Sequence, residues 1–448
     1  MKCVWSTTSW DGQKAQKERR VVYSMEDHGQ ENQAVNVHPD FTYQVFEGFG
    51  GAFTEAAALT FAQMPPHLQK EALQAYYGPD GLGYTVGRMH IDSCDFCMDN
   101  YSAMEADGDV WGNGFSMERD ERAILPMYRA AKEALGRPIP VMLSPWSPPA
   151  FMKTNGEKNH GGKLKPEYYE KWAEYLCRYI MEYRARGVEV RRLSIQNEPN
   201  AVQTWDSCIY TAVEEKLFLK AYLVPAMKKH GLTDVEIFLW DHNKERAVER
   251  TQAILDPETE SMVTGVAVHW YSGDHFDALR MIRERYPALK LLFSEGGVEY
   301  RRHAVNDRLA NARQYAHDLI GNLNAGLHCF LDFNMLLNEI GGPNHVGNFC
   351  DAALMYDRKA RTLTKLLTYE YIGHFSRAIV PGSVRLGSSK FTDELDATAF
   401  RRPDGQIAVV VLNRTGKAMQ VWIRLEGQLN PVELPADSIA TGIVKDSR

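Results

Sequence analysis

Two glutamates stand where a β-type run of the sequence meets a loop. Glu198 follows Asn197 and precedes Pro199, and Glu295 precedes two glycines. If both runs are strands of one parallel barrel, both carboxylates project into the basin at the carboxyl ends of the strands. Such a pair can cleave a glycosidic bond, because one carboxyl group protonates the leaving oxygen while the other attacks or stabilises an oxocarbenium-like centre. This chemistry requires neither a metal nor a cofactor, so none is expected.

Residue types that bind sugars stand at or beyond the ends of other β-type runs. Aromatic rings offer sugar C–H groups a flat apolar surface, and Asp and Asn side chains bind hydroxyl groups. These residues are Asp95, Trp146, His269, Tyr271, Phe333 and Asn348. Trp146 fits a core position equally well, and His269 fits a buried structural role better than a catalytic one. Arg88 is expected to be a counter-charge for nearby acids, Asp92 and Asp95, rather than a substrate ligand.

Eight β-type runs alternate with segments of helical spacing through the middle of the chain. The runs cover residues 46–53, 84–91, 140–145, 193–197, 235–240, 265–270, 290–294 and 329–334. Residues 166–184 show the apolar spacing of an amphipathic helix between two of them. The GxGxxG spacing of a nucleotide-binding sheet is absent after the first run. The pattern therefore predicts an α/β fold of the (β/α)₈ TIM-barrel type, which would gather the residues above at one rim.

The two ends of the chain show a different pattern, in which short β-prone runs are joined by turn residues. The strand candidates are residues 20–25, 35–37, 398–402 and 407–413. Neither end carries enough apolar surface to form a core alone. We therefore predict a small β-sandwich domain formed from both chain termini. Its strands would come from residues 1–40 and 377–448, with the catalytic barrel over residues 41–376.

Composition and charge exclude several classes of protein. The chain has 448 residues, of which 44% are hydrophobic, and a net charge of −7. Because the charges are dispersed rather than gathered in a basic stripe, no nucleic-acid partner is expected. No run approaches the length of a transmembrane segment, and the first residues lack the apolar region of a signal peptide. These features, with only seven cysteines, favour a cytoplasmic protein.

A CxxC pair and a His-x-Asp pair are the features most similar to metal or redox motifs. The CxxC pair that begins at Cys94 lacks both a second pair and a thioredoxin-like context, so a structural role is expected. His90 and Asp92 at a strand end, with Asp95 nearby, are residue types that could bind a metal ion together. No second histidine cluster completes that set, and His269 alone is insufficient. No metal site is predicted.

Several short motifs occur in order along almost the whole chain. They are FGGAFTEAAA at 49–58, SCDF at 93–96, SPWS at 144–147, KTNG at 153–156, NEP at 197–199, VHWY at 268–271, SE at 294–295, GGPN at 341–344 and VVLNR at 410–414. In this order they resemble glycoside hydrolase family 30, specifically its glucosylceramidase-like branch. The resemblance implies a (β/α)₈ barrel with a β-sandwich from both chain ends, and retaining hydrolysis of β-glycosides.

The resemblance also implies a role for each site residue by its position in a motif. Glu198 is similar to the acid/base of the family and Glu295 to its nucleophile, and Asn197 would lie beside the sugar 2-hydroxyl. The positions that hold the other hydroxyls and the sugar face are matched by Asp95, Trp146 and Asn348, and those around the nucleophile by Tyr271, His269 and, as support, Arg88.

The chain departs from the family pattern in two places. Its eighth-strand motif has Phe330 and Phe333 in place of tryptophans, which removes the indole N–H donors. The segment 200–211 is shorter than its counterpart and carries Trp205, so the leaving-group site should differ. Trp111 is expected to reach the same site.

We therefore predict a retaining β-glycosidase that hydrolyses β-D-glucosides, a glucosylceramidase-like β-glucosidase, by double displacement through the two glutamates. Its partner would be a β-glucoside or another β-glycan. The acid, Glu198, is expected to have a raised pKa because Glu295 lies nearby. An endo-β-1,6-glucanase or a β-xylosidase would use the same carboxylates. A carbohydrate-binding protein without catalysis is the alternative from another class.

Overall fold

The computed structural model describes residues 1–301 and 307–445, which form a parallel barrel and an antiparallel sheet. In chain order the strands are β1 (Lys2–Trp10), β2 (Ala15–Tyr23), β3 (Met25–Glu26), β4 (Ala34–Val45), β5 (Gly48–Ala52), β6 (Val86–Ile91), β7 (Pro140–Pro145), β8 (Glu189–Ser194), β9 (Glu236–Asn243), β10 (Gly265–His269), β11 (Lys290–Glu295), β12 (Val298–Glu299), β13 (Leu327–Asp332), β14 (Leu336–Asn338), β15 (Cys350–Asp351), β16 (Leu354–Asp357), β17 (Thr362–Lys365), β18 (Val384–Lys390), β19 (Leu395–Arg401), β20 (Ile407–Asn413), β21 (Met419–Leu425), β22 (Gln428–Leu434) and β23 (Ser438–Lys445). The α-helices are α1 (Glu55–Gln63), α2 (Pro66–Tyr77), α3 (Glu118–Arg122), α4 (Ile124–Leu135), α5 (Tyr169–Ala185), α6 (Ala212–Phe218), α7 (Val224–Lys229), α8 (Ala247–Ile254), α9 (Phe276–Arg285), α10 (Arg308–Asn324) and α11 (Leu367–Ser376).

Eight strands close into a parallel barrel in the spatial order β5, β6, β7, β8, β9, β10, β11 and β13. Each of the eight runs expected from the sequence overlaps one of these strands, which confirms the predicted barrel. Apolar side chains from six of the strands fill part of the lumen, namely Val86, Met142, Phe238, Ala267, Leu292, Cys329 and Leu331. A Cβ at Gly50 of β5 would lie 1.9 Å from the backbone oxygen of Val86, so only glycine permits this close approach of the first two strands.

The helices between the strands pack their apolar faces on the outside of the barrel. α5 coincides with the helix expected over 166–184, and its buried residues Trp172, Leu176, Tyr179 and Tyr183 recur every three or four positions. Within the described ranges, no helix has the length and hydrophobicity needed to span a membrane.

The two ends of the chain meet in one ten-stranded sheet with the order β2-β1-β23-β20-β19-β18-β4-β21-β22-β3. The sheet encloses a core to which both ends contribute, including Trp5 and Val37 from the N-terminal part and Val409 and Ile423 from the C-terminal part. The strand candidates 398–402 and 407–413 lie in β19 and β20, which pair antiparallel as a hairpin. A core assembled from both ends confirms the predicted β-sandwich.

The N-terminal part of the sandwich is longer than the sequence pattern indicates. The pattern missed β1, whose nine residues include four Ser or Thr and bury mainly every second position, as at Cys3 and Trp5. β4 extends to Val45, past the boundary expected at residue 40, because its pairing with β18 continues as far as Val45 and Val384. The barrel begins three residues later, at Gly48.

One histidine joins the barrel to the sandwich. His374 of α11 lies between Thr8 of β1 and Thr441 of β23, with its Nε2 and Nδ1 each 2.8 Å from a threonine Oγ1. The hydroxyl of Thr441 donates to the backbone oxygen of His374, so Nδ1 must donate to Thr441 and Nε2 accepts from Thr8. Burial lowers the pKa of His374 to about 3, which keeps the imidazole neutral, and both of its nitrogens are satisfied.

Candidate active site

A narrow cavity of about 90 Å³ opens at the carboxyl ends of the barrel strands. Its walls are formed by Asp95, Phe96, Trp146, Asn197, Glu198, Gln203, Trp205, His242, Asn243, Tyr271, Glu295, Glu299, Phe333, Asn348 and Cys350. Nine of these were singled out from the sequence. The other two expected residues, Arg88 and His269, are fully buried and contact the two glutamates. All eleven therefore belong to one constellation.

Glu198 occupies an unusual backbone conformation just beyond β8. Its φ is 47°, in the left-handed region that non-glycine residues rarely adopt, and its backbone N–H donates to the oxygen of Asp241 over 2.9 Å. The side chain is 11% exposed. Oε1 lies 3.2 Å from Nδ1 of His269, and Oε2 accepts from Gln203 over 3.4 Å. Strain held by surrounding contacts is typical of functional sites.

Glu295 is the last residue of β11, and each of its carboxylate oxygens accepts a hydrogen bond. Nη1 of Arg88 donates to Oε2 over 2.6 Å, and the hydroxyl of Tyr271 donates to Oε1 over 3.0 Å. Nδ1 of His269 lies 4.0 Å from Oε1. The two donors fix the orientation of the carboxylate and leave it directed into the cavity.

Arg88 of β6 holds four polar groups from four different strands or strand ends. Besides Glu295, its guanidinium donates to Asn197 Oδ1 and Asp241 Oδ2, each over 2.8 Å, and to Ser144 Oγ over 3.1 Å. The expectation that Arg88 neutralises Asp92 and Asp95 is therefore wrong. Its acidic partners are Asp241 and Glu295, because alternation along β6 directs Arg88 into the barrel lumen.

One proton lies between Glu198 and His269, and the surrounding charges place it on the histidine. Nε2 of His269 lies 3.1 Å from Oδ1 of Asp241 and donates to it, which leaves Nδ1 to face Glu198. Burial would raise the pKa of Glu198, but His242 and His269 hold it well below its ordinary value. Burial would lower the pKa of His269, but Glu295, Asp241 and Glu198 raise it to about 9. The expected raised pKa of Glu198 is thus wrong for the resting site, where this proton lies on His269.

Asp241 and His242 were missed from the sequence, although both stand at the end of a barrel strand. The run of apolar residues ends at Trp240, so the sequence pattern ends the strand before these two polar residues. In the structure Trp240 and Asp241 have positive φ angles of 72° and 46°, next to a break in the register between β9 and β10. Burial would raise the pKa of Asp241, but Arg88 and His269 keep it well below its usual value. Asp241 is thus the anion that links these two cations.

Two aromatic rings form the apolar part of the cavity. Trp146 and Phe333 stack with 6.0 Å between their centroids and 20° between their planes, and the Arg88 guanidinium lies 4.7 Å from the Trp146 centroid. Trp205 is half-buried at the cavity wall. Phe330 is not in the cavity, because it stacks in the core on Phe293 with 4.8 Å between centroids. The site therefore offers a flat apolar surface from a single pair of rings.

Amide and carboxyl groups form the opposite, polar part of the cavity. Asn348 and Asn344 each donate to Oδ2 of Asp95 over 3.2 Å. Burial raises the pKa of Asp95 well above its ordinary value, and the nearby Glu295 adds to this effect. These side chains present both donors and acceptors, as a polyhydroxylated ligand requires.

Trp111 lies outside the cavity, contrary to expectation. Its indole nitrogen donates to Glu174 over 2.8 Å, and its ring packs on His230 with 4.5 Å between centroids. The position of a long loop cannot be read from its composition, and here the loop folds back on α5 and α7.

Two groups of three potential ligands occur among the described residues. The first comprises His90, Cys94 and Cys97, but Nε2 of His90 accepts from the backbone of Glu55 and Nδ1 contacts the oxygen of Asp92. Both nitrogens of His90 are therefore engaged. The second group comprises Glu198, His242 and His269 in the cavity itself.

A parallel (β/α)₈ barrel that presents two facing glutamates, stacked aromatic rings and hydroxyl-binding side chains at its strand ends has the fold and the site of a glycoside hydrolase. The comparison with protein families agrees with this class. The chain belongs to glycosyl hydrolase family 30, since residues 46–379 match the family's TIM-barrel domain and residues 382–442 match its β-sandwich domain.

Individual relatives have several activities. The chain is 31% identical over 407 residues to lysosomal acid glucosylceramidase of Mus musculus, covering 87% of this chain and 79% of that protein. It is 36% identical to the chain in the crystal structure of SrfJ from Salmonella typhimurium, with a TM-score of 0.96 and full coverage of both chains. It is 25% identical over 430 residues to endo-1,6-β-D-glucanase neg1 of Aspergillus fumigatus, covering 90% of this chain and 85% of that protein.

Proposed function

We propose that this protein is a retaining β-glucosidase of the glucosylceramidase type, with Glu295 as nucleophile and Glu198 as acid/base. The observation that carries the proposal is that both carboxylates approach one ring nitrogen. Nδ1 of His269 lies 3.2 Å from Oε1 of Glu198 and 4.0 Å from Oε1 of Glu295. This proximity favours the separation of about 5–5.5 Å found in retaining enzymes over the roughly 6.5–9.5 Å of inverting enzymes.

In the first step, the Glu295 carboxylate attacks the anomeric carbon while the bond to the leaving oxygen breaks. Glu198 delivers to that oxygen the proton held between itself and His269. Arg88 and Tyr271 hold the two oxygens of Glu295 for the attack. The products are the protonated leaving group and a glucosyl ester of Glu295.

In the second step, water enters the space vacated by the leaving group. Glu198 removes a proton from this water, and its oxygen attacks the anomeric carbon and displaces the Glu295 carboxylate. Two successive inversions at the anomeric carbon give net retention. The proton gained by Glu198 restores the resting state of the Glu198–His269 pair.

The cavity supports cleavage of one terminal sugar. Its volume of about 90 Å³ is small beside the ~300–1,000 Å³ of ordinary ligand pockets. A single stacked pair, Trp146 and Phe333, provides one platform rather than a row of them. The relative named lysosomal acid glucosylceramidase supports glucose as the sugar.

The test is hydrolysis of aryl β-glucoside and aryl β-xyloside, with the anomer of the released sugar followed by NMR. We expect rapid turnover of the glucoside, with the β-anomer appearing first. Initial release of the α-anomer would contradict retention, and faster turnover of the xyloside would contradict the assignment of the sugar.

An endo-β-1,6-glucanase is the second candidate, because one relative over most of the chain carries that name. It predicts release of oligosaccharides from β-1,6-glucan and little turnover of aryl monosaccharides. The size distribution of the products from that polymer decides between the two candidates.

A further inference from the structure

Three side chains in the cavity bring their ligand atoms close to one point. Nδ1 of His242 lies 3.4 Å from Oε1 of Glu198, and Nδ1 of His269 lies 3.2 Å from the same oxygen. No two of the three ligand atoms are more than 4.8 Å apart. Zinc bonds of about 2.0–2.1 Å in a tetrahedral arrangement place neighbouring ligand atoms about 3.3 Å apart. The two contacts to Oε1 of Glu198 have about this length.

The surroundings of the two histidines also fit a metal site. Nε2 of His269 is held by Oδ1 of Asp241 at 3.1 Å, which reproduces the pairing of a carboxylate with the outer nitrogen of a metal-binding histidine. Nδ1 of His242 is buried, and among the described residues it contacts Oε1 of Glu198, the oxygen that would share the ion. Both Nδ1 atoms are thus directed at Glu198, and a bound ion would displace the proton that His269 holds there.

We propose that Glu198, His242 and His269 form a binding site for a divalent zinc-like ion, which inhibits the enzyme by occupying its acid/base. Three protein ligands leave the fourth tetrahedral position open to water from the cavity. Binding of the ion requires no specific substrate. Its inhibitory consequence rests on the proposed function, because the ion occupies the oxygen through which Glu198 exchanges its proton.

The donor set determines which ions should bind. Two imidazoles and one carboxylate suit Zn²⁺ and Cu²⁺, whereas Mg²⁺ and Ca²⁺ prefer sites made of oxygen ligands. The group of His90 and two cysteines is the competing site, and the engagement of both His90 nitrogens argues against it. The two sites differ in ligand chemistry, since only the competing one has thiolates.

The first experiment measures Zn²⁺ binding directly, by calorimetry on protein freed of metal with EDTA and dialysed. We expect one equivalent bound by the wild type, at least about tenfold weaker binding by His242→Gln, and wild-type binding by Cys97→Ser as the matched control. Circular dichroism and thermal melting establish that the variants are folded, and His242→Asn provides a second replacement. Equal Zn²⁺ affinity in the wild type and in both His242 variants would overturn the proposal. Loss of the one bound equivalent of Zn²⁺ in Cys97→Ser would also overturn it.

A second experiment uses Co²⁺ as a spectroscopic probe of the same site. Visible absorption typical of tetrahedral cobalt, without a thiolate charge-transfer band, is expected in the wild type and should be lost in His242→Gln. A thiolate band would overturn the proposal in favour of the cysteine site.

Inhibition is then measured on whichever β-glycoside the protein hydrolyses. We expect Zn²⁺ to inhibit, EDTA to reverse the inhibition, and Mg²⁺ to have no effect. A protein that binds Zn²⁺ through His242 but hydrolyses no β-glycoside would refute the proposed function and leave the metal site standing. Full hydrolysis with Zn²⁺ bound would refute the inhibition.

Discussion

Nη1 of Arg88 donates to Oε2 of Glu295 over 2.6 Å, and the side chain of Arg88 is completely buried. The same guanidinium also binds Asp241, so one cation compensates two carboxylates inside the barrel. A buried charge that loses its partner is costly, so the geometry of the nucleophile depends on this arginine.

Arg88→Lys should impair catalysis more than it impairs folding. Lysine retains the charge, but its compact ammonium cannot reach Glu295, Asp241 and Asn197 together. Each charge-assisted hydrogen bond lost costs about 1.5–3 kcal/mol, so we expect kcat/KM to fall at least about tenfold while the protein still melts cooperatively. Arg184→Lys, at a surface ion pair with Asp234, is the matched control and should change neither kcat/KM nor the thermal melting of the protein. Wild-type kcat/KM in Arg88→Lys would contradict the positioning role.

The two glutamates should respond differently to replacement when the leaving group is varied. Glu295→Gln removes the nucleophile and should abolish hydrolysis of all β-glucosides. Glu198→Gln should lower hydrolysis of alkyl β-glucosides by about 10²- to 10⁴-fold, the usual contribution of a general acid. With an activated aryl glucoside, Glu198→Gln should show a burst of released phenol followed by slow turnover, because the second step lacks its base. A burst in Glu295→Gln instead would reverse the assigned roles.

Much of this site could be predicted because the carboxyl ends of all strands of a parallel barrel meet at one rim, a relation called the barrel rule below. Glu198 and Glu295 are far apart in sequence, yet each ends a β-type run, and the rule places both at one rim. Asp241 and His242 obey the same rule. The sequence pattern misses them because the apolar run ends at Trp240, and the positive φ angles of Trp240 and Asp241 redirect the chain there.

Other features of the site depend on tertiary contacts, which cannot be inferred from a short stretch of sequence. The position of the proton between Glu198 and His269 is set by Asp241 on the far side of the imidazole, which a sequence pattern does not reveal. Trp111 is half-exposed in a loop, and its contacts with Glu174 and His230 are tertiary. The sequence led us to expect Trp111 at the leaving-group site, but the loop packs it against Glu174 and His230.

Phe333 and Phe330 should give opposite phenotypes although they are three residues apart. Phe333 stacks on Trp146 in the cavity, so Phe333→Ala should raise KM for glucosides about 5- to 20-fold, corresponding to about 1–2 kcal/mol of lost contact. Phe330 stacks on Phe293 in the core, so Phe330→Ala should lower the free energy of unfolding by about 3–5 kcal/mol. Kinetics and urea unfolding on both variants test the contrast. An unchanged KM in Phe333→Ala would exclude a sugar platform there.

His374 should make the junction between barrel and sandwich sensitive to acid. Burial lowers the pKa of His374 to about 3, and Arg377 and Lys17 add to the effect. Between pH 6.5 and 3 the unfolded chain therefore binds a proton at this histidine while the folded chain does not. The contribution of neutral His374 to the free energy of unfolding is complete above pH 6.5. As the pH falls below 6.5, this contribution decreases by about 1.4 kcal/mol per pH unit.

The comparison that isolates this effect is urea unfolding of wild type and His374→Gln at pH 7.5 and pH 5. A glutamine can form hydrogen bonds with Thr8 and Thr441 but does not titrate. Between pH 7.5 and pH 5 the free energy of unfolding should therefore fall by roughly 2 kcal/mol more in the wild type than in the variant. His328, whose pKa burial lowers to about 4, contributes an acid-dependent loss to both proteins, and it cancels in the difference. His160→Gln, at an exposed site, is the control and should keep the wild-type dependence. An equal loss in wild type and His374→Gln would show that His374 is protonated in the folded protein, with Nε2 then donating to Thr8.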